Sequence, residues 1–435
     1  MFENDTNREN TTQTSNRDEV MGYLQMKPDS NKPMNIGSNF LEILRHDNEF
    51  ADLRLNTVKD TPERYNEETG RRQPWTDAED AAARIYIEKA YGISNPSKYM
   101  DALNTRLQEV KYNPVQIEIE KTAWDGQRRA EEFLIKWAGA EDTPVNRECS
   151  RLLFAGGIRR AYQPGSKFDN IIVLIGGQGA GKSTLCRWLA LDDDFFTTIK
   201  TISGQRGSED IEGKWIIEVE ELLAFLANDK SGSRMEENVK AYLSRQSERF
   251  RKPYERRSTD TPRTCIFLGT TNRDQFLSDP TGNRRWFPVK CNSNGRQLYD
   301  HEAEIRAYIR QAWAEMLAAF KSDDELARPT ASPELEAAIK AQQATAETEE
   351  PWAGLIDIYA RDKIGLREKT SFPIIELWNE AINYGAGAVR QSAKCDQATS
   401  NKIAGLLRKM GWECVGTVRY GEYGPQQGWK PPFEV

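Results

Sequence analysis

Histidine is almost missing from this 435-residue chain, which holds only His46 and His301, far apart. That argues against a histidine-based metal centre, a catalytic triad or a zinc-ribbon module. The six cysteines (149, 186, 265, 291, 395 and 414) are scattered, with no C-x-x-C pair. Reduced thiols in a cytoplasmic setting are therefore expected, not a disulfide framework. No apolar run approaches the ~18–20 residues of a membrane span. The first thirty residues carry "NDTNRENTTQTSNRDE" and lack the apolar core of a secretion signal, so no membrane partner is expected. Positive charge is also in deficit: 60 Lys and Arg against 67 Asp and Glu leave a net charge of −7. The surface as a whole does not attract polyanions, although a local basic channel remains compatible with that balance.

What is present falls into blocks. Residues 1–38, rich in Asn, Thr, Asp and Lys with few apolar anchors, read as a disordered tail. Residues 39–150 read as a mainly helical region. "NFLEILRH" is a short helix, and "RYNEETGRRQPW" a loop or hairpin. "TDAEDAAARIYIEKAYG" is a helix with an acidic start and Gly92 as its stop. "NPSKYMDALNTRLQEV" is another, with Asn95 as cap and Pro96 in its first turn. From 151 to 325 short β-branched runs (171–175, 215–219, 264–268) alternate with helical segments, the pattern of a parallel α/β sheet. Residues 326–365 read as a helical linker. The remainder, 366–435, offers two helices and then a β-ribbon, the order of a small winged-helix-like α+β module.

The strongest motif lies in "IIVLIGGQGAGKSTLCRWLA" (171–190). Gly176, Gly181, Lys182 and Ser183 fit G-x-x-x-x-G-K-[ST], between a buried-strand run and a helix, as that motif requires. Gly176, Gly177, Gln178, Gly179, Ala180 and Gly181 would turn backbone N–H groups toward phosphates at a helix N-terminus. Lys182 would reach the β/γ-phosphates, Ser183 would ligate Mg²⁺, and Thr184 follows in the same turn. An NTP site is expected. The absence of N-K-x-D favours ATP over GTP as the nucleotide.

Three further segments suit phosphoryl chemistry. "GKWIIEVEEL" is a strand ending in Glu218, Glu220 and Glu221. A carboxylate at a strand tip can hold Mg²⁺, and a second can orient the attacking water. "CIFLGTTN" ends a second buried strand at Asn272, an amide positioned to sense the γ-phosphate. "TGNRRWFPV" adds Arg284 and Arg285, either of which can stabilise transferring phosphate across a subunit boundary.

Taken with "WDGQRR" (124–129), "AYQPGSKFDNIIVLIGGQGAGKST" (161–184), "YLSRQSERFRKPYERR" (242–257) and "PRTCIFLGTTN" (262–272), this order of segments resembles the virulence-associated E family. That family's ATPase core is similar to the superfamily 3 helicases of phages, plasmids and small DNA viruses. The resemblance covers about residues 75–300 and implies an AAA+-like P-loop fold, a homo-oligomeric ring, commonly a hexamer, and action on DNA in replicating a mobile element. It further implies that Lys182 and Ser183 bind phosphate and Mg²⁺, and that Glu218 and Glu221 are the Walker B acids, with Glu220 an alternative base. Asn272 takes the sensor 1 place, and Arg284 or Arg285 is the finger. The chain lacks the primase domain fused to many such cores, which leaves room for a separate primase or initiator as partner.

The segment "RQSERFRKPYERRSTDTPR" (245–263) holds seven basic residues against three acidic. In the ring helicases that this chain resembles, the insertion before sensor 1 is a β-hairpin in the central channel. Lys252, Arg256 and Arg257 would grip phosphates there, with Tyr254 available for stacking on DNA. The same stretch also reads as a solvated loop, or as arginines pairing with a neighbour's acids. Arg408, Lys409 and Lys430 in the C-terminal module suit either duplex DNA or a protein-docking cap. Two functions follow: an ATP-driven DNA helicase or translocase, or an ATP-gated assembly switch that regulates or defends without unwinding.

Overall fold

The computed structural model describes residues 16–200, 210–220, 241–250, 259–277, 283–346, 351–366, 369–383 and 395–433. Two compact units emerge: residues 1–274 with 281–345, and residues 275–280 with 346–435. It is an α/β protein with a parallel five-stranded sheet and many helices.

The first unit opens with α1 (Arg17–Met21) and α2 (Gly37–His46). Here the structure departs from the expectation of a tail over 1–38, of which residues 1–15 lie outside the described residues. Val20 and Leu24 are buried in a core with Phe40, Ile43 and Tyr99. The buried Asn39 side chain accepts from Gln25 N at 2.9 Å and donates to the carbonyls of Gln25 and Met34 at 2.9 and 2.8 Å. Two apolar anchors and one buried amide hold a segment whose average composition reads as solvated.

A four-stranded sheet follows, built from β1 (Arg54–Asn56), β2 (Thr61–Asn66), β3 (Arg71–Pro74) and β4 (Lys111–Tyr112) in the order β3-β2-β1-β4. The expected loop or hairpin at 64–75 is thus the β2–β3 hairpin. Between the last two strands run α3 (Asp77–Tyr91) and α4 (Pro96–Glu109). The α3 start is a capping box between Thr76 and Glu79, its end the left-handed Gly92. Asn95 caps α4, accepting from Lys98 N at 3.1 Å. Next come α5 (Pro114–Glu120), α6 (Phe133–Ala138) and the long α7 (Pro144–Tyr162).

The central sheet contains β5 (Ile171–Ile175), followed by α8 (Lys182–Leu189), β6 (Phe196–Ile199) and β7 (Ile216–Val219). A separate antiparallel pair, β8 (Ser247–Phe250) and β9 (Thr259–Pro262), precedes β10 (Ile266–Thr271) and β11 (Trp286–Lys290). Every residue of β5, β7 and β10 is buried, as strands covered on both faces must be. The sheet order is β11-β5-β10-β7-β6, all pairs parallel. Beyond it lie α9 (Gly295–Asp300), α10 (Glu302–Lys321) and α11 (Glu336–Thr345). Under the sheet, the Trp215 and Trp313 rings meet at 4.4 Å. Their indole N–H groups donate to Gly157 O and Leu189 O at 3.1 and 2.9 Å, so neither buried donor is orphaned.

The second unit contains α12 (Pro351–Gly365), β12 (Phe372–Pro373), a helical segment with a π-turn at Leu377–Ile382, and α13 (Gln397–Lys409). The hairpin β13 (Glu413–Tyr420) and β14 (Gly424–Lys430) completes a three-stranded sheet ordered β12-β14-β13. Its core gathers Ile356, Phe372, Leu377, Ile403, Leu407, Trp412 and Trp429. The buried Glu376 carboxylate is compensated by Lys369 Nζ at 2.7 Å and the Tyr359 hydroxyl at 3.0 Å.

Candidate functional site

From β5 the chain runs to the far edge at β6, returns through β7 and β10 to β5's flank, then crosses to β11 on the other side. Strand order therefore reverses beside β5, and the crevice outside its carboxyl end is where open α/β sheets bind ligands. The structure brings Gln178–Thr184, Glu220, Thr270–Asn272, Gly295, Arg296 and Tyr299 to the wall of one cavity there, of about 700 Å³. That size suits a cofactor or nucleotide.

The loop after β5 is pinned from both sides. Gly176 N donates to Thr271 O at 3.1 Å, Cys291 N to Ile175 O at 2.7 Å, and Gly295 N to Gly179 O at 2.8 Å. Gly179 and Gly181 take φ of +83° and +80°, a left-handed conformation that costs other residues strain. A Cβ on Gly181 would stand 2.4 Å from Leu298 Cδ1, whereas one on Gly177 would meet nothing within 4 Å. The loop is packed shut behind and open in front.

Lys182 begins α8 and donates from Nζ to the carbonyls of Gly176 and Gly177 at 2.7 and 2.9 Å. Burial lowers its pKa, against raising contributions from Cys291, Glu218 and Cys186. Ser183, one residue on, donates from Oγ to Glu218 Oε1 at 2.5 Å. Glu218 also accepts from Thr270 Oγ1 at 2.7 Å and Thr198 Oγ1 at 3.2 Å, and is 1% exposed. Its near partners are three neutral hydroxyls; among the described residues no salt bridge reaches it. Lys182 lends this buried carboxylate some positive charge without an ion pair, and a divalent cation between Ser183 Oγ and Glu218 would compensate it more fully. The donor set fits Mg²⁺, which takes few protein oxygens and completes its shell with phosphates and water.

Of the other expected acids, Glu220 stands in the cavity wall, its carboxylate 3.1 Å from Lys200 Nζ. Glu221 lies outside the described residues. Asn272, exposed just past the end of β10, faces the same cavity. The two arginines are elsewhere. Arg284 and Arg285 precede β11, and that five-residue strand spans about 16 Å, so both lie at the sheet end remote from Lys182. They differ in environment. Arg285 donates from Nε to Ser244 Oγ at 2.9 Å and pairs with Asp169 at 3.5 Å. Arg284 is exposed and has no ion pair among the described residues.

The basic insertion has paired arms: Ser247 faces Pro262 and Phe250 faces Thr259 across β8–β9. Lys252, Tyr254, Arg256 and Arg257 lie outside the described residues. One of its basic residues, Arg263, is structural: 3% exposed, it donates to the carbonyls of Tyr242 and Leu243 and stacks 5.0 Å over the Tyr242 ring. The buried Arg160 in turn donates to Arg263 O at 3.2 Å, fastening the base of the hairpin.

Sequence reasoning missed Thr198, Arg296 and Tyr299. Thr198 is a strand residue whose role depends on its cross-strand partner Glu218. Arg296 and Tyr299 sit on a short helix that β11–β5 pairing carries to the loop, and no local pattern marks them.

Fold and site together define an α/β protein whose glycine-rich strand–loop–helix faces a buried acid at the carboxyl edge of a parallel sheet. The virulence-associated protein E-like domain matches residues 119–348, more than half of the chain, which therefore belongs to that family. No curated protein matches it. Among solved structures, the apo C-terminal region (305–718) of NrS-1 is similar at 12% identity, covering 87% of this chain and 95% of that one, with a TM-score of 0.49. An A-form apo structure of the same region matches over 87% and 96% at the same identity and score. Among the described residues no helix is long and apolar enough to cross a membrane.

Proposed function

We propose that this chain is a P-loop ATPase of AAA+-like, superfamily 3-like type. In this reading it forms a ring of identical subunits, hydrolyses ATP with Mg²⁺ and translocates on DNA in replicating a phage or mobile element. Membership of the virulence-associated protein E-like family supports the replication role. The observation that carries the catalytic part is the 2.5 Å contact between Ser183 Oγ and Glu218 at the mouth of the glycine loop. Two residues 35 apart in sequence converge where a phosphate-bound cation would sit.

In this reading, Gly177–Thr184 wrap the phosphates with backbone N–H groups and the α8 dipole. Lys182 exchanges its two loop carbonyls for the β/γ-phosphates. Ser183 and Glu218 hold Mg²⁺, which when bound neutralises charge developing on the phosphates. Glu220 or Glu221 orients the attacking water, and Asn272 contacts the γ-phosphate. Arg284 reaches a neighbour's pocket, because its own lies at the opposite end of the sheet; Arg285 holds the strand start in place. Lys252, Tyr254, Arg256 and Arg257 contact DNA, and the second unit is a winged-helix-like module.

The test is ATP turnover with and without single-stranded DNA. Stimulation by DNA, abolished by Lys182→Ala, is expected. Turnover indifferent to DNA would favour the assembly switch, and turnover surviving Lys182→Ala would refute the site.

A further inference from the structure

Helix α9 is fastened to the glycine loop. Gly295 N donates to Gly179 O at 2.8 Å, and Ser293 Oγ donates to Ala180 O at 2.7 Å. Asn294 caps the helix, accepting from Arg296 N at 3.0 Å. A Cβ on Gly295 would stand 2.5 Å from Gly179 O, so only glycine permits this approach. The helix and the loop are thus joined by two hydrogen bonds and a close backbone approach.

That arrangement presents an aromatic ring to the cavity. Tyr299 is 60% exposed. Its ring meets Trp188 edge-to-face, 5.5 Å between centroids at 84°. Trp188 is itself buried and covered by the Arg306 guanidinium at 5.3 Å. The Tyr299 and Thr184 hydroxyls stand 3.4 Å apart, which fixes the ring above the first turn of α8, beside Lys182 and Ser183. Arg296 lines the same wall.

We propose that Tyr299 is the base platform of the nucleotide pocket: the nucleobase stacks on its open face, while Arg296 offers donors to the sugar-phosphate side. This rests on the nucleotide reading of that pocket and deepens it. A T-shaped contact with Trp188 leaves at least one face of the exposed Tyr299 ring uncovered, and phosphates seated over α8 leave the rest of the nucleotide to extend along this wall. Stacking is tolerant of base identity because every base has a π-face.

Calorimetric titration with ADP and, separately, inorganic tripolyphosphate tests the assignment on the full chain. Tyr299→Ala should weaken ADP binding roughly 5- to 150-fold, the range of one base–aromatic stack. Tripolyphosphate, which has no base, should bind as to the unaltered protein, and Tyr299→Phe should keep ADP affinity. Unchanged ADP affinity in Tyr299→Ala would overturn the proposal, as would an equal loss for both ligands. Failure of the unaltered protein to bind either ligand would overturn the nucleotide reading itself, and the platform with it.

Discussion

The two ends of the central sheet are built differently. At the carboxyl end, groups from α8, β6, β7 and β10 close on one another and on the glycine loop: Lys182 on loop carbonyls, Ser183, Thr198 and Thr270 on Glu218. At the amino end, Arg285 is tied to Ser244 and Asp169, while its neighbour Arg284 is exposed. One end is a pocket assembled within the chain. The other carries a cation with no described ion-pair partner inside its own fold, which in the proposed ring would complete a pocket on a second copy. A ring joined head to tail brings such ends together.

The largest effect should come from Lys182→Ala, with ATP turnover falling about 10³-fold or more and tripolyphosphate binding lost, since the charge facing the transferring phosphate is gone. Next, Arg284→Ala should cut kcat roughly 10³-fold with nucleotide affinity little changed. Arg285→Ala should instead lower stability by about 1–2 kcal/mol, from its half-buried bonds, as read in thermal or urea unfolding. The reverse pattern would exchange the roles of the two arginines. Within the loop, Gly181→Ala should destabilise by about 1–3 kcal/mol through strain and the clash with Leu298. Gly177→Ala, facing open space, should cost under about 0.5 kcal/mol. Equal costs would deny that the loop is packed behind and open in front.

The smallest effect concerns pH. Burial lowers the Lys182 pKa in the free protein, and a bound phosphate raises it. Between those two values binding takes up a proton, so ADP affinity should fall as pH rises through that window. Calorimetric enthalpies in buffers of different ionisation heat would show the uptake, and Lys182→Met should remove it.

The glycine loop was legible in the sequence because its hydrogen-bonding unit is contiguous: strand, turn and helix follow one another within twenty residues. Glu218 was legible as an acid at the end of an apolar run. Its three hydroxyl donors were not, since they come from three other elements. Arg284 and Arg285 are adjacent and identical in type, and only the fold's contacts with Ser244 and Asp169 separate them. Tyr299 reaches Thr184 across a separation of 115 residues, which no local period encodes. In the N-terminal part, helices announced themselves by caps at Thr76 and Asn95. The β2–β3 pair was anticipated as a loop or hairpin; β1 and β4, of three and two residues, are too short for the alternation that marks a strand. Residues 16–38 read as solvated because Val20 and Leu24 count for little in an average, yet they and the buried Asn39 amide just beyond fix the segment.

The shared pocket is tested most directly by mixing. Lys182→Ala and Arg284→Ala proteins, each inactive alone, should regain ATP turnover when combined. In a random ring of equal parts about a quarter of the interfaces pair an intact lysine with an intact neighbouring arginine, so recovery should approach that share of wild-type activity. Mixtures that stay as inactive as their components would contradict the account.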